Sequence, residues 1–115
     1  MDIYSRFLYQ DGQYKKNPPR IKHTAFHVVN GQVSVYQTDA LNDPAIWSIA
    51  TSLNPNRRVH GRGDVTREDI ESVELNIMIE EPPPLHRNIV GWPNEELQQL
   101  SKAQELATKA KLILA

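Results

Sequence analysis

Residues 82–93, Pro82-Pro83-Pro84-Leu85-His86-Arg87-Asn88-Ile89-Val90-Gly91-Trp92-Pro93, constrain the fold more than any other stretch of the chain. Each proline fixes φ and removes a backbone donor, which predicts that the segment is neither helix nor central strand. Yet Leu85, Ile89, Val90 and Trp92 supply apolar surface that a solvated linker does not need. A stiff, greasy segment is one that packs. It is expected to act as a strap joining a small sheet before it to a long helix after it.

The flanks support that division. Before the strap, Leu75, Ile77 and Ile79 alternate with Asn76, Met78 and Glu80, the period of a half-buried strand. After it, Asn94 is a ready N-cap, and Glu95 and Glu96 suit the positive end of a helix. Leu97, Leu100, Ala103, Ala107, Ala110 and Leu114 then form an apolar stripe, with Leu106 and Ile113 at its edge. This predicts a terminal helix of about 20 residues, covering the sheet or pairing with the same helix of a second copy.

Further upstream, Ile3 to Tyr9 is β-prone, and Asp11-Gly12 signals a turn that closes a short hairpin with residues near Tyr14. Lys15 to Arg20 is a basic loop whose Pro18-Pro19 argues against regular structure. Asn30-Gly31 is the strongest local signal, since both residues accept the positive φ of a type I′ turn. It predicts a hairpin of His23–Val29 with Gln32–Thr38. Asn42 or Asp43 followed by Pro44 opens a helix carrying Ile46, Trp47, Ile49, Ala50 and Leu53, which Asn54-Pro55-Asn56 stops. A short strand is expected around Val59, and Thr66 caps a brief helix with Ile70 and Val73 inward.

The chain is expected to be one compact α+β domain over residues 1–115: a small, mainly antiparallel sheet with two to three helices packed on one face and a long C-terminal helix. Hydrophobic content of 39% and charged content of 23% place it among globular chains. It has no cysteine, which excludes disulfides, thiolate metal sites and cysteine nucleophiles. The first residues lack the build of a signal peptide, and no apolar run reaches the roughly 18–20 residues of a membrane span. A soluble cytoplasmic protein without membrane contact is the expectation. Residues 1–67 hold nine Lys/Arg against five Asp/Glu, a balance of +4, and residues 68–115 hold four against nine, a balance of −5. Opposed halves suit self-contact or a partner of mixed charge, or are simply two differently solvated faces.

Three stretches hold residues that could do chemistry. His23 and His27, on the expected strand, would lie about 13 Å apart by strand rise, too far to share a metal ion. In Val59-His60-Gly61-Arg62-Gly63-Asp64, His60, Arg62 and Asp64 suit anion binding or proton transfer, with Arg62 the best anion ligand. The glycines allow a ligand close approach, yet the spacing matches no phosphate loop. The structural alternative is a turn held by Asp64. The Arg62-Gly63-Asp64 triplet also resembles an adhesion tripeptide. In the strap, His86 can face a pocket beside Trp92, while Asn88 suits a structural role, bonding carbonyls that the prolines leave without donors. No metal or cofactor site is read from the sequence.

The strap, together with Ala25-Phe26, Val33-Ser34-Val35, Ile46-Trp47 and Gly61-Arg62-Gly63-Asp64-Val65, resembles a group of small bacterial proteins without an established activity. That group shares a His-x-Asn-Ile-x-Gly-Trp-Pro segment and has alanine where Arg87 and Gly63 stand here. The resemblance spans most of the chain and implies a bacterial, cytoplasmic origin, with no reaction attached.

With no recognised catalytic constellation, the leading expectation is a non-catalytic interaction or accessory protein. It would act through a larger partner or as a homodimer, with the alanine-striped helix as its contact. One alternative is a small hydrolase or transferase on a phosphate-bearing substrate, Arg62 holding the anion and His60 or His86 moving protons. Another is weak nucleic-acid binding through Lys15, Lys16, Arg20, Lys22, Arg57 and Arg58, which requires the two basic loops to be neighbours.

Overall fold

The computed structural model describes residues 1–115. In chain order the elements are β1 (Ile3–Leu8), β2 (Tyr14–Lys16), β3 (Pro19–Ile21), β4 (Val33–Gln37), α1 (Asp43–Leu53), β5 (Gly61–Thr66), α2 (Arg67–Ser72), β6 (Asn76–Ile79), β7 (His86–Val90), α3 (Glu96–Lys109) and β8 (Lys111–Leu114). Short 3-10 turns occupy Asp11–Gln13 and His23–Phe26. Six strands form one sheet in the order β6-β7-β4-β1-β5-β8, and every pairing in it is antiparallel. The α+β class is as expected. No helix is long and apolar enough to cross a membrane.

The two faces of the sheet bury different things. Tyr4, Leu8, Val33, Val35, Val65 and Ile89 point into the main core, beneath α2, α3 and the 23–26 turn. Phe7 and Tyr36 point the other way, where they meet Ile46 and Ala50 of α1. Two helices therefore share one face and α1 takes the opposite one. Ile46 and Ala50 are four residues apart, one helical turn, which sets which side of α1 is buried.

The helix starts follow from capping. Asn42 Oδ1 accepts from the Ala45 amide at 3.0 Å, with Pro44 in the first turn of α1. Thr66 and Asp69 close a reciprocal capping box on α2. α3 departs from expectation at both ends. Its N-cap is Glu95, not Asn94, and it ends after 14 residues. Lys111–Leu114, expected to be helical, instead forms edge strand β8 on β5. Open backbone groups along β5 outweigh the weak local preference of Lys-Leu-Ile-Leu. Gly61 permits that pairing, because a Cβ there would lie 2.7 Å from the Ile113 carbonyl oxygen.

Other expectations are corrected as well. The 82–93 strap contains a central strand: His86–Val90 pairs with β4 on one side and β6 on the other. Its prolines all lie outside the paired residues, so no ladder donor is lost. Asn30 and Gly31 do take positive φ, at 53° and 73°, but the turn closes only one bridge, Val29 to Gln32. His23–Phe26 is a 3-10 turn, held by the Ala25 amide donating to the Lys22 carbonyl at 3.0 Å, and it brings the consecutive Ala25 and Phe26 into the same main core, where strand alternation would send them to opposite faces. The basic 15–20 segment is itself a small hairpin, β2 with β3, and Tyr14 pairs there and not with β1. The strand expected around Val59 begins two residues later, at Gly61.

Candidate functional site

The sheet opens between its two middle strands. β1 pairs with β5 along its whole length, from Ile3 to Leu8. With β4 it pairs only at Tyr4–Gln37 and Ser5–Tyr36. Beyond Ser5 the two strands part, and the Arg6 guanidinium fills the gap. Its Nε donates to the Ala25 carbonyl and its Nη1 to the Ser34 carbonyl, both at 2.8 Å. A side chain thus takes the place of missing ladder hydrogen bonds.

A cleft of about 930 Å³ lies at this splayed end. The 23–29 segment, the first turns of α3 and the residues just after α1 form its walls. That volume falls in the range of ligand sites. Arg6 and Arg57 line it together with His23 and His27, against a single carboxylate, Glu96. Arg57 lies over the Tyr9 ring, 5.8 Å from its centroid. Apolar lining comes from Leu97, Leu100, Val28 and Val29. Leu97 is 79% exposed, on the part of α3 that its own chain leaves uncovered. Burial lowers the pKa of the Arg6 guanidinium, an effect that nearby Tyr9 partly opposes. No carboxylate forms an ion pair with Arg6.

Of the residues singled out from the sequence, His23, His27 and Arg57 line this cleft, whereas His60, Arg62, Asp64, His86, Asn88 and Trp92 lie elsewhere. Arg62 is only 4% exposed and is engaged by its own chain. Its Nε lies 3.2 Å from Asp64 Oδ1, its Nη2 bonds Asp43 at 3.1 Å, and its guanidinium stacks 4.7 Å from the Trp47 ring. Asp64 also accepts from Ser5 Oγ at 2.6 Å. The Arg62-Gly63-Asp64 triplet lies within a paired strand, so it is not a displayed adhesion loop. His60 Nδ1 lies 3.0 Å from the Tyr14 hydroxyl and 3.1 Å from Asp11. His86 sits three strand spacings from β5, about 14 Å away. Its Nε2 contacts Ser34 Oγ at 2.6 Å and its Nδ1 the Glu80 carbonyl at 2.8 Å. A carbonyl only accepts, so Nδ1 carries a proton, and in the neutral ring Nε2 accepts from Ser34. His60, Arg62 and His86 do not share a cleft.

Within the strap, Trp92 is buried and its Nε1 donates to the Ile89 carbonyl at 2.9 Å. Asn88 is wholly buried, and neither atom of its side-chain amide has a hydrogen-bond partner. The strap carbonyls expected to bond Asn88 are served by other donors: Arg87 Nη1 bonds the His86 carbonyl, Trp92 Nε1 that of Ile89 and Gln99 Nε2 that of Pro93. Glu81 accepts from the Leu85 amide and from Arg87 Nη1, both at 2.9 Å. The Arg87 bond is the main cause that holds its carboxyl below the usual range. No group of three His, Asp or Glu side chains is arranged to hold a metal ion.

The alanine stripe of α3 is used within the chain. Ala103, Leu106 and Ala107 are buried in the main core, so the alanine part of the stripe is not open to a partner, while Leu97 and Leu100 at its start stay exposed. The Tyr14–His60 contact does bring the base of the basic β2/β3 hairpin against the 57–60 segment. Sequence reading passed over Arg6 because a lone arginine in a β-prone run carries no pattern. Only the parting of β1 and β4 gives it a role. No protein family, curated protein or solved structure matches the chain.

Proposed function

We propose that this chain is a non-catalytic interaction protein whose recognition surface is the cleft at the splayed end of the sheet. Its occupant is an acidic, apolar-anchored peptide segment of a larger partner. The observation that carries this reading is the lining itself. Exposed Leu97 and Leu100 stand beside Arg6, Arg57, His23 and His27, with Glu96 the one opposing charge. Aliphatic side chains would bury against α3 while carboxylates meet the cationic wall. The alternative of phosphate chemistry at Arg62 finds less support, because that guanidinium already pairs with Asp43 and Asp64 and its one unbonded nitrogen, Nη1, is sealed from solvent. Weak nucleic-acid binding is kept as a second reading, since the two basic segments adjoin.

Panning a random peptide display library on the immobilised protein, beside a single-stranded oligonucleotide arm, tests both. Expected are peptides combining Leu, Ile or Phe with Asp or Glu, lost on Leu97→Asp, a substitution at an exposed site that should leave the fold intact. Enrichment that Leu97→Asp does not change, or no enrichment at all, refutes the cleft reading. Salt-sensitive oligonucleotide binding without peptide enrichment favours the second.

A further inference from the structure

We infer that Arg6 is the seat for a carboxylate at the floor of this cleft, the point at which the partner's acidic group is recognised. The inference rests on the cleft reading above and adds to it the ligand's chemical class and the residue that reads it. Arg6 is a half-buried cation, and cations drawn from water are ordinarily paired. Here two of its nitrogens are taken up by neutral carbonyl oxygens of Ala25 and Ser34. Those bonds fix the plane of the guanidinium but leave its charge uncompensated. Its third nitrogen, Nη2, bonds nothing in the chain and is not sealed from solvent. Arg6 lines both the main cleft and a smaller adjoining hollow of about 210 Å³, and His27 lines both with it.

The geometry favours a carboxylate over a phosphate. Three of the five guanidinium N–H bonds, two on Nη2 and one on Nη1, are left for a ligand, and a carboxylate is their planar, singly charged match. A phosphate dianion would bring a second negative charge that this one guanidinium does not balance. Because the guanidinium is already oriented, little conformational freedom is lost when the ligand arrives. The apolar wall at Leu97 and Leu100 lies on the same cleft, so the ligand should present a carboxylate at the end of an apolar body.

Three small probes test this by titration into the full-length, isotope-labelled protein, read by NMR at the arginine side chains and at Leu97 and Leu100. They are 4-phenylbutyrate, its neutral amide and phenyl phosphate. The carboxylate is expected to shift the Arg6 side-chain resonance saturably, with the amide at least tenfold weaker and the phosphate weaker than the carboxylate. Arg6→Gln should abolish the difference between acid and amide. Because that variant also loses two internal hydrogen bonds, His27→Glu provides a second check. His27 is exposed and makes no hydrogen bond in the chain, and an anion placed there should weaken the carboxylate at least tenfold while sparing the amide. Equal binding of acid and amide overturns the carboxylate seat and leaves the cleft reading standing. Phenyl phosphate binding more tightly than 4-phenylbutyrate overturns the choice of anion. Indifference to His27→Glu, or no response at Arg6 to either acid, overturns the seat, while the Leu97-dependent peptide enrichment decides the cleft reading separately.

Discussion

Arg62→Ala separates a structural strut from a ligand-binding arginine. In the wild-type chain this guanidinium bridges β5 to the start of α1 through Asp64 and Asp43 and covers the Trp47 ring. Asp43 is largely exposed and loses little when its partner goes, whereas the Asp64 side chain is only 15% exposed. Removing Arg62 leaves that carboxylate buried, with only the Ser5 hydroxyl donating to it. Breaking a buried pair in this way costs about 3–5 kcal/mol. A domain of this length has a total stability of about 6–17 kcal/mol, so the loss is a substantial share of the whole. With an unfolding entropy of roughly 2.1 cal/mol/K per residue, the midpoint should fall by about 12–20 °C. Differential scanning calorimetry with urea unfolding measures this directly. Arg62→Ala combined with Asp64→Asn should recover part of the loss, because the stranded charge is removed. A drop in stability below about 1 kcal/mol would refute the reasoning. Arg62 would then contribute no more than a surface ion pair, and the anion-binding role read from the sequence would return.

Two further outcomes follow from the strap. Trp92→Ala should cost about 3–5 kcal/mol, because the indole is only 8% exposed and packs in the main core; an unchanged urea midpoint would mean that the strap does not pin the sheet. Glu81 has a carboxyl held below its ordinary range, chiefly by Arg87 and then by the Leu85 amide, so its stabilisation is complete above the ordinary glutamate value of about 4.3. It is then lost as pH falls through the depressed folded value. The urea midpoint of Glu81→Gln should decline less than wild type over that acid window, and superimposable pH curves would show that the contact contributes nothing.

Several elements were legible because their signal is local. Thr66, and Asn42 or Asp43 before Pro44, announce helix starts through hydrogen bonds made within four residues, and the caps that form are Thr66 and Asn42. Asn30-Gly31 takes the positive φ its residue types favour. Burial of Trp92 also followed from apolar side chains on a proline-flanked segment. The misreadings share one cause. Lys111–Leu114 continues the helical stripe, and only the open edge of β5 turns it into a strand. The prolines at 82–84 and 93 argue against a central strand, yet the five residues of β7 fit between them, paired with β4 over His86–Ile89 and with β6 over Arg87–Val90.

The candidate site divides in the same way. Arg62, Asp64 and His86 stood out as residue types near glycine, histidine and proline, and that prominence reflects internal pairing. Arg6 carries no such mark, and His27, noted only as a histidine, is twenty-one residues from it, so nothing local links the two. The amino-acid order determined the α+β class, the caps, the turn and which side chains needed burial, since each depends on neighbours a few positions away. The sheet order, the parting of β1 from β4 and the charge left unpaired between them were decided only by the tertiary structure, because hydrogen bonding between distant strands sets which backbone groups remain open and which side chain must fill the gap.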